Sequence, residues 1–344
     1  MVGRVHHMTK HQENRSADRE RTDHLLQEVD EQEHARRTGN LHHQAQVQLH
    51  SMVKRSKELS SIWKGDPEEL LRFRRGMRLT EIDTSSTPGF PGNKADGRRF
   101  IDLSSEDLMS LQHLLYANGA VGSKRRLLLI LQGMDASGKG GIVKHVFSQV
   151  NPMGIHYHGF GAPTALELQH DFLWRVRREL PKAGWMAVFD RSQYEDIVMP
   201  RIFGTYPESV WRGRYQTVRD FEQHLVNDGC EVIKVFLATS KEAQRKRFLK
   251  RLDDPTKHWK FAESDLDARD RWPEYMDAWQ EVFEETSTPD APWYVVPADR
   301  RWYSRAVVSE LLRSRLQGMQ LQWPKASFDL NEARRRLKAE SSEA

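Results

Sequence analysis

Apolar positions cluster in short unbroken runs. Residues 127–131 read Leu-Leu-Leu-Ile-Leu, which predicts a strand buried on both faces, as in the middle of a parallel sheet. Residues 185–189, 232–237 and 293–296 are similar runs, and residues 154–161 read as a short further strand. Between them the spacing of apolar residues becomes helical. Leu108, Leu111, Leu114 and Leu115 share one stripe over 106–116, with Asn118 and Gly119 as a stop. Helices are also predicted at 142–147, at 166–180 before Pro181, at 207–227 before Asp228 and Gly229, and at 307–316. Strands alternating with helices predict an α/β fold, a parallel sheet sandwiched by helices. No internal repeat is present.

The flanks read differently. Residues 1–60 lack Phe, Trp and Tyr and hold 8 of the 15 histidines, which predicts a disordered or loosely helical tail. Irregular spacing and the lack of cysteine there speak against a metal site. Residues 63–100, with Trp63, Phe73, Phe90, Phe100 and several Pro/Gly turns, predict an extended arm packed on the core. Residues 326–344 read as a polar tail. Trp272, Tyr275 and Trp279 recur at helical spacing, a stripe better suited to core packing than to base stacking.

Composition narrows the classes. The 344 residues are 38% hydrophobic and 30% charged, and no apolar run is long enough to span a membrane. No secretory segment is evident at the N-terminus, and the single cysteine, Cys230, precludes an internal disulfide. A cytoplasmic protein is the expectation. A net charge of +4 is too mild to demand nucleic acid. It favours polyanions if the cations gather in one place.

The chemistry begins right after the first strand. Residues 133–141 read Gly-Met-Asp-Ala-Ser-Gly-Lys-Gly-Gly. Gly133, four residues, Gly138 and Lys139 form the skeleton of a phosphate-binding loop, in the strand–loop–helix context that skeleton requires. The backbone of Ala136, Ser137, Gly138, Gly140 and Gly141 would wrap a phosphate, and Lys139 would add a cation. Gly140 stands where Ser or Thr usually holds Mg²⁺, which leaves Asp135 as the substitute ligand. Asp190 ends the strand at 185–189, where a carboxylate can share that Mg²⁺, and Arg191 beside it can clamp phosphate. Arg247 and Arg251 lie four apart on a very basic helix and could belong to a lid over about 240–265. Tyr194, Glu195 and Asp196 could face an acceptor, or could simply be acids starting a helix.

Together these stretches resemble the polyphosphate kinase type 2 family. The resemblance also rests on Phe172-Leu-Trp-Arg175, on Phe189-Asp-Arg-Ser-x-Tyr194, on residues 251–260 and on residues 291–297, in order. It implies a P-loop kinase-like fold over residues 61–325, with a helical lid. It implies Mg²⁺-dependent phosphoryl transfer between inorganic polyphosphate and nucleoside mono- or diphosphates by a homo-oligomer, a dimer or tetramer. Asp135 and Asp190 would hold metal, and Lys139, Arg191, Arg247 and Arg251 would bind the transferred group. Tyr194-Glu195-Asp196 resembles the branch that accepts both mono- and diphosphates. The rival readings are an ATP-dependent nucleoside monophosphate kinase and a non-catalytic polyanion-binding protein.

Overall fold

The computed structural model describes residue 54 and residues 58–148 and 150–340. The expectation for residues 1–60 therefore lies almost wholly outside the described residues. In chain order the elements are α1 (Pro67–Leu71), α2 (Lys94–Ala120), β1 (Arg126–Gln132), α3 (Lys139–Val146), β2 (Ile155–Gly159), α4 (Trp174–Arg178), β3 (Met186–Asp190), α5 (Glu195–Phe203) and α6 (Glu208–Asn227). They continue with β4 (Cys230–Ala238), α7 (Lys241–Leu252), α8 (Ser264–Asp270), α9 (Trp272–Thr286), β5 (Trp293–Pro297), α10 (Arg301–Gly318) and α11 (Leu330–Glu340).

The five strands form one sheet in the order β2-β3-β1-β4-β5, parallel at every pairing. Leu129 of β1 stands opposite Val188 on one side and Ile233 on the other. All of Leu127–Leu131 is buried, because alternate residues face two different helical layers. Leu128 and Ile130 join Ile197, Val218 and Phe283 in a core cluster beneath α5, α6 and α9. The opposite layer is built from α2, α3 and α10, which pack on one another. Tyr275 and Trp279 are buried in the core and Trp272 packs against it, so the aromatic stripe is a packing face. Cys230 is buried as well.

Several boundaries differ from the sequence reading. The helix expected at 106–116 begins at Lys94, within what reads as an arm. Asn93 Oδ1 accepts from the Ala95 N–H at 2.7 Å and Asp96 Oδ2 from the Asn93 N–H at 2.8 Å, a reciprocal cap. The Asp96-Gly97 pair is thus a first helical turn, and Gly97 is demanded by Trp302, whose ring a Cβ would approach to 2.2 Å. The helix expected at 166–180 is only a 3-10 turn at Glu167–Gln169 and the short α4. Asp171 breaks it, its carboxylate accepting from the Leu173 N–H at 3.1 Å to start a new turn. The closing helix starts earlier, at Arg301, and the polar C-terminal stretch contains α11, none of whose residues is buried.

Gly119 stays inside α2 for a steric reason. A Cβ there would lie 2.5 Å from the Gly184 Cα and 2.7 Å from the Ala183 carbonyl oxygen. Backbone cannot step aside as a flexible side chain can. Gly119→Ala is therefore expected to destabilise by about 2 kcal/mol, despite alanine's better helix propensity. A lower denaturant midpoint at unchanged m-value would register the effect, and a more stable variant would contradict this packing.

Candidate active site

β1 ends inside the sheet, and the chain must turn sharply to enter α3. Gly133, with φ of 142°, makes the first bend, and a Cβ there would meet the Leu237 carbonyl oxygen at 2.9 Å. Gly138, with φ of 124°, caps α3. Added Cβ atoms at Gly138 or Gly140 would meet nothing within 4 Å, because this part of the loop opens on a cleft. Lys139 folds back so that Nζ donates to the Gly133 carbonyl at 2.8 Å, closing the loop on itself.

The loop is braced from behind by α7. Gln244 Nε2 donates to the Asp135 carbonyl at 2.8 Å. Arg247 donates to the carbonyls of Ala136 and Ser137, each at 2.8 Å, and to those of Ala298 and Asp299 at 2.6 and 3.1 Å. Arg247 is buried, so this guanidinium fixes the loop's shape and is not a mobile arm. Arg251, one turn on, is less tightly held: it donates to the Lys260 carbonyl at 2.8 Å, approaches Asp265 at 3.9 Å and lies over the Phe248 ring.

A cleft of about 790 Å³ lies at the carboxyl ends of the strands, large enough for a nucleotide or several phosphates. Asp135, Ala136, Ser137, Gly138, Lys139, Gly140 and Gly141 line it, together with Asp190, Arg191, Arg247 and Arg251. The sequence-predicted residues thus converge, with two exceptions. Gly133 sits behind the loop, and Glu195 is not on the cleft wall. With its amide turned to satisfy its neighbours, Gln132 donates to Glu195 Oε1 at 3.0 Å and accepts from Ser192. Asp196 is taken by Arg175 at 2.9 Å, and Tyr194 is fully buried with its hydroxyl on Glu222 at 2.7 Å. Glu195 and Asp196 do start α5, as acids at a helix start.

Arg191 has a left-handed backbone, φ of 66°, unusual for a side chain of this size. Its N–H donates to the Leu131 carbonyl at 3.0 Å, and its NH2 group donates to Asp135 Oδ1 at 2.7 Å. Burial works to raise the Asp135 pKa, but Lys139 and Arg191 outweigh it and hold the carboxyl below its usual range. Arg191 is stabilised as a cation, chiefly by Glu195 and then by Asp135.

Sequence reading missed Arg301 and Arg305, which line the cleft from the first turns of α10. Among the described residues neither has an ion-pair partner. Burial lowers both, and so does mutual repulsion: Arg251 acts on Arg301, and Arg301 and Arg98 act on Arg305. Arg247 is pushed down to about 10 by burial and by Arg301. Cations that depress one another in a half-closed cleft need an anion. A signal was available: Arg301 and Arg305 lie four apart just past the strand at 293–296, in the setting that singled out Asp190. Lys144, His145 and Tyr157 also line the cleft and carried no signal.

Burial raises the Glu195 pKa, while Arg191 and Lys139 oppose the shift. A raised carboxyl contributes stability that is complete below its unfolded pKa and lost as pH rises through its folded pKa. Glu195→Gln is expected to flatten that fall in stability above the ordinary carboxylate range, read by thermal melts at stepped pH. An unchanged pH profile would place the titration elsewhere.

Within the cleft, the residues that could hold a metal are the two carboxylates. Asp135 and Asp190 supply hard, anionic oxygens of the kind Mg²⁺ prefers, and Gly140 offers no hydroxyl.

Comparisons with known proteins concern the chain as a whole. The family described as Polyphosphate kinase 2 (PPK2) matches residues 93–324. A protein from Meiothermus ruber named AMP/ADP-polyphosphate phosphotransferase is 41% identical over 248 residues, covering 72% of this chain and 91% of the relative. One from Rhodopseudomonas palustris named ADP-polyphosphate phosphotransferase is 42% identical over 234 residues, 64% of this chain and 80% of the relative. The crystal structure of polyphosphate kinase 2 from Arthrobacter aurescens TC1 is similar at a TM-score of 0.78 with 47% identity, covering 81% of this chain and 98% of that one.

Proposed function

The chain belongs to the polyphosphate kinase 2 family, and we infer from its cleft how it moves a phosphoryl group between inorganic polyphosphate and a nucleotide. The observation that carries the reading is convergence. A phosphate loop, a paired Asp135–Arg191, a second acid and a crowd of mutually repelling arginines share one cleft. Residues 61–325 form the catalytic domain in this reading, with 240–265 as its lid.

Polyphosphate lies along the cationic wall made by Arg251, Arg301 and Arg305, and its terminal phosphate rests on the loop. Lys139 and the loop N–H groups hold the transferred group, and Arg191 clamps it from the β3 side. Arg247 contributes by fixing the loop. The acceptor already presents an anionic phosphate oxygen, so no strong base is needed, and rate comes from alignment and charge. Asp135 and Asp190 would hold Mg²⁺, which would supply positive charge against the phosphates. Nucleoside diphosphates are the proposed acceptors, with monophosphates as a second class; the Meiothermus ruber relative's name supports both.

Among the described residues no helix is long and apolar enough to cross a membrane. A cytoplasmic enzyme fits the lone buried cysteine, and a dimer or tetramer fits exposed apolar residues such as Leu166, Leu168 and Phe203.

Family membership sets aside the non-catalytic reading. The ATP-dependent monophosphate kinase is separated by its donor. With polyphosphate, ADP and Mg²⁺ and no ATP, new ATP is expected. Product formed only when ATP is added would sink the polyphosphate reading.

A further inference from the structure

A second group of ligand-type side chains lies outside the cleft. β2 is an edge strand, and His156 and His158 stand two apart on it, so they share a face. Tyr157 between them points the other way and lines the cleft. Glu179, which closes α4, reaches the same spot. Its Oε2 lies 2.7 Å from His156 Nε2 and 3.2 Å from His158 Nδ1. One ligand atom from each of the three residues lies within 4.8 Å of the others, and all three are half-buried.

We propose that His156, His158 and Glu179 form a transition-metal site of the zinc class, distinct from the phosphoryl-transfer cleft. Two imidazole nitrogens crowd a single carboxylate oxygen. Ligands of a tetrahedral Zn²⁺ stand about 3.3 Å apart, given bonds of roughly 2.0–2.1 Å, so small side-chain rotations admit the ion. Imidazole with one carboxylate suits Zn²⁺, and also Co²⁺ or Cu²⁺; it does not suit Mg²⁺, which asks for oxygen alone. Three protein ligands leave a fourth position for water.

The site's consequence is structural. The strand that bears both histidines runs on into Gly159, Phe160 and Gly161, which form part of the cleft wall. The Phe160 N–H donates to the Asp190 carbonyl at 2.9 Å, and Arg175 of α4 donates to the Gly161 carbonyl at 2.9 Å. A metal joining β2 to the end of α4 would lock the two elements that carry this wall. The inference does not depend on the substrate assigned to the cleft.

The test uses the full chain, stripped with chelator and held in excess Mg²⁺ without nucleotide or polyphosphate. Zn²⁺ is titrated calorimetrically and Co²⁺ by visible absorption, in the native protein and in His156→Ala, His158→Ala and Glu179→Gln. The eight histidines before residue 60 give a background common to all four proteins. Expected is one equivalent of Zn²⁺ above that background, weakened at least about tenfold in each variant. The visible band of four-coordinate Co²⁺ and a rise in Tm with Zn²⁺ should appear only in the native protein. Glu179→Gln preserves size, so it reads the same loss should a histidine variant fail to fold. Equal stoichiometry, affinity and Tm rise in native protein and variants would overturn the proposal.

Discussion

Lys139→Ala is expected to lower the rate of phosphoryl transfer by about a thousandfold, some 4 kcal/mol of transition-state stabilisation, while the protein stays folded. Lys139 is the one cation within the loop itself, held 2.8 Å from the Gly133 carbonyl and mostly buried. A phosphate seated on the loop N–H groups meets this charge at short range, where water screens it least. Losing the Gly133 contact should cost only about 1 kcal/mol of stability, since the turn is also set by Gly133 and braced by Arg247. Lys139→Arg should rescue little, because a wide planar fork does not fit where a compact ammonium closes a ring. Steady-state rates with polyphosphate and ADP, beside circular dichroism and thermal melts, give the answer. Turnover near that of the native protein would remove Lys139 from the chemistry.

The sheet and the loop were legible because both are written locally. Five apolar residues in a row, too few for a helix and closed by a glycine turn, read as a strand with two covered faces, and a glycine skeleton after it has one common use. Asp190 was legible by the same local logic. What failed depended on distant partners. Gly97 reads as a helix breaker until Trp302, over two hundred residues away, is seen pressed against it. Arg247 reads as a lid arginine for the transferred group. Its use of the guanidinium on four carbonyls depends on where β5 and the loop end up. Arg301 and Arg305 show in sequence only as a pair four apart past a strand, and the return of β5 to the sheet edge brings them to the cleft. Glu195 was drawn into the site by its neighbours in sequence, but the first turn of α5 sets it against Gln132 behind the cleft wall.

Asp190→Asn is expected to cost about a hundredfold in rate and to raise the Mg²⁺ concentration needed for half-maximal activity. The side chain sits at the carboxyl end of β3, on the cleft, next to a residue held in a left-handed backbone. Asparagine keeps the shape and removes the charge. The backbone bond from the Phe160 N–H to the Asp190 carbonyl is untouched, so the strand end should hold its place. Asp135→Asn makes an informative contrast. It also withdraws the ionic partner of Arg191, whose NH2 group lies 2.7 Å away, and so combines a metal defect with a misplaced clamp. Because the Asp135 carboxyl is held below its usual range, its stabilising effect is present above the unfolded pKa and fades as pH falls through the lower folded pKa. Asp135→Asn should therefore lose part of the native protein's acid-side stability change, whereas Asp190→Asn should show its defect chiefly as a shifted Mg²⁺ requirement. If Asp190→Asn turns over at the native rate with the native Mg²⁺ requirement, this carboxylate does not hold the metal, and the pairing of Asp135 with Asp190 fails.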